Sequence, residues 1–246
     1  MSTFIDDLSS GIVKREMVLF FVIDQSGSMA GENIGIVNNT IREVIPELKT
    51  VGGADVDLKI AVLLFSSGYQ WMHTEPVPAE SFVWNTIQAN GATDFGKACN
   101  ELNNKLSRSG FLKSPSGSVA PAIFLMSDGQ PTDDYKESLE KLKNNSWFKH
   151  AIKIAVAIGE DADSNALAEF TGTSEAVVTT HTGEDLRKMI RFVSITSTQI
   201  GSKSQPAATT GEIQTKQEDM VQQVQEFVQS DESLNQGSIP TEEEHW

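Results

Sequence analysis

Asp24, Ser26 and Ser28 take alternate places in the stretch Asp24-Gln25-Ser26-Gly27-Ser28, so a carboxylate and two hydroxyls are offered within five residues. Gly27 allows the tight backbone path that can point such donors at one centre. The stretch follows directly on Val18-Leu19-Phe20-Phe21-Val22-Ile23, an apolar run that reads as a strand covered on both faces. Open α/β sheets place their ligands at the C-terminal ends of such strands. Oxygen-only ligation favours a hard cation, Mg²⁺, Ca²⁺ or Mn²⁺, over zinc. Taken alone, the pattern serves equally well as a turn, since Ser and Asp are common turn residues.

Two further segments bring oxygen donors to strand-to-helix junctions. Gly91-Ala92-Thr93-Asp94 leads into a helical pattern, and Leu125-Met126-Ser127-Asp128-Gly129 closes another apolar strand. In order and rough spacing, the Asp-x-Ser-x-Ser, Thr and Asp elements resemble the metal-ion-dependent adhesion site of von Willebrand factor A domains. The resemblance covers residues 17–200 and implies a Mg²⁺ ion, with Mn²⁺ or Ca²⁺ as alternatives, held by Ser26, Ser28 and Thr93. Asp24 and Asp128 would ligate directly or through water. It further implies a partner protein whose Asp or Glu carboxylate completes the shell. Within the family, the stretch from Ser127 to Asp133 looks most like the bacterial group associated with tellurite-resistance and stress operons. Other members are non-catalytic subunits of chelatase motors or scaffolds for a kinase and phosphatase, which gives a second reading.

The elements that would position these residues alternate between strand and helix from Met17 to about Thr198, the pattern of a Rossmann-like, doubly wound, mostly parallel sheet with helices on both faces. Residues 33–49 carry apolar side chains at helical spacing, and Pro46 is expected to end or kink that helix. Residues 58–65 read as the next strand. The link Ser66-Ser67-Gly68-Tyr69 is too short for a parallel crossover, so residues 70–72 are expected as one antiparallel edge strand. Phe95, Ala98, Cys99, Leu102 and Leu106 line one helical face. Strands follow at 121–126, 151–158 and 176–179, and helices at 135–145, 164–170 and 184–200. Asp133 and Asp134 are placed to cap the helix that begins near Tyr135.

The chain divides into an N-terminal extension (1–16), the α/β domain (17–200) and an acidic, Gln- and Ser-rich tail (201–246). A possible amphipathic helix at 217–229 carries Met220, Val221, Val224, Phe227 and Val228, and either folds back on the domain or docks on a partner. On composition alone the tail is dispensable for folding. A net charge of −15 argues against nucleic acid or an anionic membrane as partner, because phosphate binding needs a positive field. No apolar run approaches membrane-spanning length, a single cysteine permits no internal disulfide, and no signal peptide is visible. These features point to the cytoplasm.

An enzymatic reading finds little support in the residues. Aspartyl-nucleophile phosphatases would need a second carboxylate where Ser26 stands. Ser26-Gly27-Ser28 is no nucleophile elbow, since Asp24 takes the place of its first glycine. A phosphate-cradling Gly-x-x-x-x-Gly-Lys pattern is absent from the sequence. His73, His150 and His181 lie far apart, none with a second ligand-type residue at metal-binding helical spacing, His245 sits at the extreme C-terminus, and Cys99 falls on an apolar stripe. Trp71, Trp84 and Trp147 are candidates for partner contact or for core. The expectation is a binding module and not an enzyme.

Overall fold

A computed structural model describes residues 14–51, 56–113, 119–202 and 215–235. In chain order its elements are β1 (Arg15–Asp24), α1 (Glu32–Val51), β2 (Val56–Ser66), β3 (Gly68–Trp71), β4 (Val77–Pro78), α2 (Phe95–Lys105), β5 (Ala122–Ser127), α3 (Lys136–Lys143) and α4 (Ser146–His150). They continue with β6 (Ile152–Ile158), α5 (Ser164–Thr171), β7 (Val177–Thr180), α6 (Gly183–Ser202), α7 (Lys216–Ser230) and α8 (Glu232–Asn235). Residues 1–13, and with them most of the expected N-terminal extension, lie outside the described residues, as do Glu242 to Glu244 and His245.

The strands form one sheet in the order β3-β2-β1-β5-β6-β7. All pairs are parallel except at the β3 edge, where a short antiparallel strand returns along β2. The two-residue β4 continues that antiparallel edge further along β2. The mostly parallel, doubly wound sheet expected from the alternation is therefore the fold.

The central strand explains the two layers. Met17, Leu19, Phe21 and Ile23 face a core shared with Val37 and Ile41 of α1 and with Met189 and Val193 of α6. Val18, Phe20 and Val22 face the opposite core, with Phe95, Cys99 and Leu102 of α2, Leu139 of α3 and Phe170 of α5. Successive strand residues point to opposite faces, so an unbroken apolar run is what a doubly covered strand requires. Trp71 and Trp84 prove structural: their indole N–H groups donate to Glu101 (2.7 Å) and Asn38 (2.9 Å). Trp147 packs at the margin of the second core.

Pro46 does not end its helix, which runs on to Val51. Its ring faces solvent, so water can reach the carbonyl left without a donor, while buried Val44, Ile45 and Leu48 hold the backbone against the sheet. Cys99 is enclosed by the second core, and burial pushes its thiol well above the usual range. Cys99→Ser should cost about 1 to 2 kcal/mol by burying a poorly paired hydroxyl. Denaturant unfolding of the variant measures that cost, and rapid labelling of native Cys99 by a thiol reagent would contradict the enclosed site.

The segment after 200 contributes to the same core. The boundary expected at 200 falls inside α6, and α7 folds back over α6 with Met220 and Val224 at most 1% exposed. Phe227 stacks on Phe192 with ring centroids 4.1 Å apart and planes 6° from parallel. A capping box at Thr215 and Glu218 starts the helix. Because β7 pairs with β6 only from Ala155 onward, the backbone of Lys153 lacks a strand partner on that side. The side-chain amide of Gln217 takes the strand's place: its Nε2 donates to the Lys153 carbonyl (2.9 Å) and its Oε1 accepts from the Lys153 N–H (2.7 Å).

Candidate metal centre

β1 and β5 are parallel neighbours, with Ile23 opposite Met126, so their ends deliver Asp24 and the Ser127-Asp128 pair side by side. Asp24 is fully buried and both of its oxygens are engaged. Oδ1 accepts from the Ser26 N–H (2.7 Å) and Oδ2 from the Ser127 hydroxyl (2.6 Å). Ser26 and Ser28 hydroxyls lie 3.0 Å apart, and the Ser28 hydroxyl donates to Asp128 Oδ1 (2.7 Å). Asn33, on the first turn of α1, donates to Asp128 Oδ2 at 3.3 Å. A Cβ built on Gly129 would lie 3.4 Å from the Ser28 hydroxyl and 3.7 Å from that of Thr93, so both hydroxyls converge on this glycine. All five residues expected from the sequence thus gather at one end of the sheet.

They do not share one exposure. Ser28, Thr93 and Asp128 line an open hollow together with Asn33, Gln130, Glu160 and Asp161, while Asp24 and Ser26 lie beneath it. Burial holds the Asp24 carboxyl above its usual range, and Asp128 adds to the effect by like charge; bonds from Ser127 and Ser26 oppose it. A carboxylate pair with three hydroxyls and no nitrogen or sulfur donor fits a hard divalent cation, whose charge would relieve that repulsion. Among the described residues no group of three or more His, Cys, Asp or Glu is placed to hold a metal ion by itself, which fits a centre built largely from hydroxyls.

Several residues that hold the centre together have no local sequence signature. Thr132 hydroxyl accepts from the Thr93 N–H (2.9 Å), and the Thr132 N–H donates to the Thr93 carbonyl (2.9 Å), a reciprocal clasp that fixes the Thr93 loop. The clasp also brings Asp133 onto α2. Asp133 does not cap the helix after Tyr135 as expected; its carboxylate accepts from the Gly96 and Lys97 N–H groups (3.0 and 3.2 Å). Gly96 permits this approach, since a Cβ there would lie 2.8 Å from the Tyr135 Cα. The loop after β1 is tied to the 90–94 loop by Gly27 N–H to Gly91 O (2.9 Å) and Asn90 N–H to Gln25 O (2.7 Å).

The irregular strap from Phe82 to Asn90 is in turn fastened to α1 by one buried side chain. Asn38 Oδ1 accepts from the Ile87 N–H and the Trp84 indole, and its Nδ2 donates to the carbonyls of Ile87 and Ile34, all at 2.8 to 2.9 Å. Asn38→Ala leaves the Ile87 backbone and the Trp84 N–H without partners, so a loss of roughly 2 to 4 kcal/mol is expected. Chemical denaturation checks this. An unchanged midpoint would show that the strap holds without Asn38.

The model of the von Willebrand factor type A domain matches residues 19–192. Among solved structures, a von Willebrand factor type A protein from Catenulispora acidiphila is 17% identical, with a TM-score of 0.57, over 75% of this chain and 43% of that one. Proximal thread matrix protein 1 from the mussel byssus, in a structure described as having a zinc-occupied MIDAS motif, is 18% identical with a TM-score of 0.56, over 76% of this chain and 48% of its own. The pilus adhesin SpaC from Lactobacillus rhamnosus GG is 13% identical with a TM-score of 0.57, over 75% and 30%. The chain therefore spans less than half the length of each of these proteins, and the likeness is one of fold. No curated protein matches it.

Proposed function

The chain belongs to the von Willebrand factor type A domain family, and on that premise we propose that it is a divalent-cation-dependent protein-binding module rather than an enzyme. The observation that carries this reading is the placing of Ser28, Thr93 and Asp128 around an open hollow, with Asp24 and Ser26 bonded beneath them. A bound Mg²⁺, Mn²⁺ or Ca²⁺ would supply an electrophilic centre able to accept a carboxylate from a partner protein. The two carboxylates of the centre balance the charge of a divalent ion and leave it able to accept an anion, while Glu160 and Asp161 line the same hollow outside that set of five residues. Ser28, Thr93 and Asp128 would hold the ion from the side of the hollow, and Asn33 and Ser127 would orient the carboxylates.

Two finer points belong to the same proposal. Among the described residues no helix is long and apolar enough to cross a membrane, and Cys99 is a buried free thiol, both compatible with the cytoplasm. The likeness of Ser127 to Asp133 to the tellurite-resistance-associated group suggests a stress-linked partner. The binding reading is tested by isolating a partner on the immobilised protein in Mg²⁺ and repeating the capture in chelator and with Asp128→Asn. Capture should be lost in both, and also when one Asp or Glu of the partner is made neutral. Capture that persists in chelator would contradict the reading.

A further inference from the structure

At the opposite pole of the sheet, a strand's length from the metal centre, a hollow of about 380 Å³ is lined by Arg15, Lys149, His150 and Lys216. Its remaining wall is formed by uncharged residues, among them Thr215 and Gln217 from the start of α7, and among the described residues no Asp or Glu lines it. This is unexpected in a chain of net charge −15 with only 19 Lys and Arg against 34 Asp and Glu. Lys149 is exposed and neither it nor Lys216 makes an ion pair among the described residues, while the Lys216 ammonium donates to the Gly201 carbonyl and Arg15 to the Ser202 carbonyl (3.3 Å) at the end of α6. The Glu218 carboxylate turns back on the Thr215 N–H (2.7 Å) and stays out of the lining.

A second observation strengthens the positive field here. Lys153, only 7% exposed, keeps its ammonium against the carbonyls of Phe148 and Ala151 (both 3.0 Å) and over the Phe148 ring, with no carboxylate beside it. Burial pushes it down to about 8. The carbonyl of Ala151, a lining residue, is thus already turned to a buried cation. The N-terminal turn of the 15-residue α7 forms part of the same wall, its dipole already offset by Glu218 and Asp219 in that turn.

We propose that this hollow binds a small phosphate-bearing anion. Two lysines, an arginine and an imidazole around one hollow suit a compact multivalent anion better than a lone carboxylate, and the volume is at the scale of a small-molecule site. The site is independent of the metal centre.

The test uses the full chain in chelator, so that the metal centre takes no part, with inorganic phosphate and pyrophosphate as probes in calorimetric titration. Saturable binding is expected, tighter for pyrophosphate. Lys149→Glu, at an exposed position that makes no ion pair among the described residues, should weaken it about tenfold or more while leaving the melting temperature of the free protein unchanged. Asp128→Asn should bind both probes like wild type. No saturable binding, or equal binding by wild type and Lys149→Glu, would overturn the proposal. Retention on vesicles of an anionic phospholipid without binding of soluble pyrophosphate would overturn it too.

Discussion

A chain truncated before Lys203 should lose cooperative folding, or melt far below the full-length protein. The truncation removes Met220, Val221 and Val224 from the core and strips Phe227 from the face of Phe192. Burial of each such side chain is worth about 1.5 to 3 kcal/mol. Their sum rivals the roughly 5 to 15 kcal/mol that keeps a domain folded. The truncation also frees the open side of β6 at Lys153, which Gln217 now satisfies. Met220→Asp makes the same point with one side chain, because a charge would have to enter a site that is 0% exposed. Thermal unfolding followed by circular dichroism measures both variants. A truncated chain that melts cooperatively within a few degrees of the full-length protein would show that α7 merely rests on a complete domain.

That outcome differs from the expectation drawn from composition, and the reason is physical. An apolar stripe of Met220, Val221, Val224 and Phe227 looks the same whether a helix covers its own domain or another protein, because periodicity reports an apolar face and not its occupant. Elsewhere the residues were explicit. The unbroken run from Val18 to Ile23 required a strand covered on both sides, and the length of the Ser66 to Tyr69 link required an antiparallel return. That Asp24, Ser26, Ser28, Thr93 and Asp128 would gather at one end of the sheet was legible from the resemblance of their order and spacing to the adhesion site of von Willebrand factor A domains. Thr132, Asn38 and Asn33 were not, since their roles are side-chain bonds to groups 39, 49 and 95 residues away. Asp133 illustrates the same limit. Two helix N-termini were within reach, and nearness in sequence favoured the one that the folded chain does not use. Pro46 was read from its missing N–H, while its exposure, which makes that loss cheap, is a property of the folded helix.

Cation binding should depend on both carboxylates of the candidate centre. Asp24 is costly to ionise where it lies: its value is raised from that of the free side chain, so the charged form weakens the metal-free fold. Asp24→Asn removes that cost and can keep both bonds, with Oδ1 accepting from Ser26 N–H and the amide donating to the rotated Ser127 hydroxyl. Asp128→Asn likewise keeps an acceptor for Ser28 and loses only the long bond from Asn33. In chelator, therefore, neither variant should melt appreciably lower than wild type. Ser26→Ala, Ser28→Ala and Thr93→Ala each remove a neutral donor and should weaken affinity less than either Asp change.

The most direct measurement is the melting of wild type and Asp24→Asn in chelator and in saturating Mg²⁺, repeated with Mn²⁺ and Ca²⁺. At a hundredfold excess over Kd a ligand of the folded state adds about 2.7 kcal/mol. Wild type should gain stability of that order from at least one of the three ions, and Asp24→Asn should barely move. Equal stabilisation of the two proteins, or none of wild type by any of the ions, would contradict the assignment of a metal centre to Asp24, Ser26, Ser28, Thr93 and Asp128.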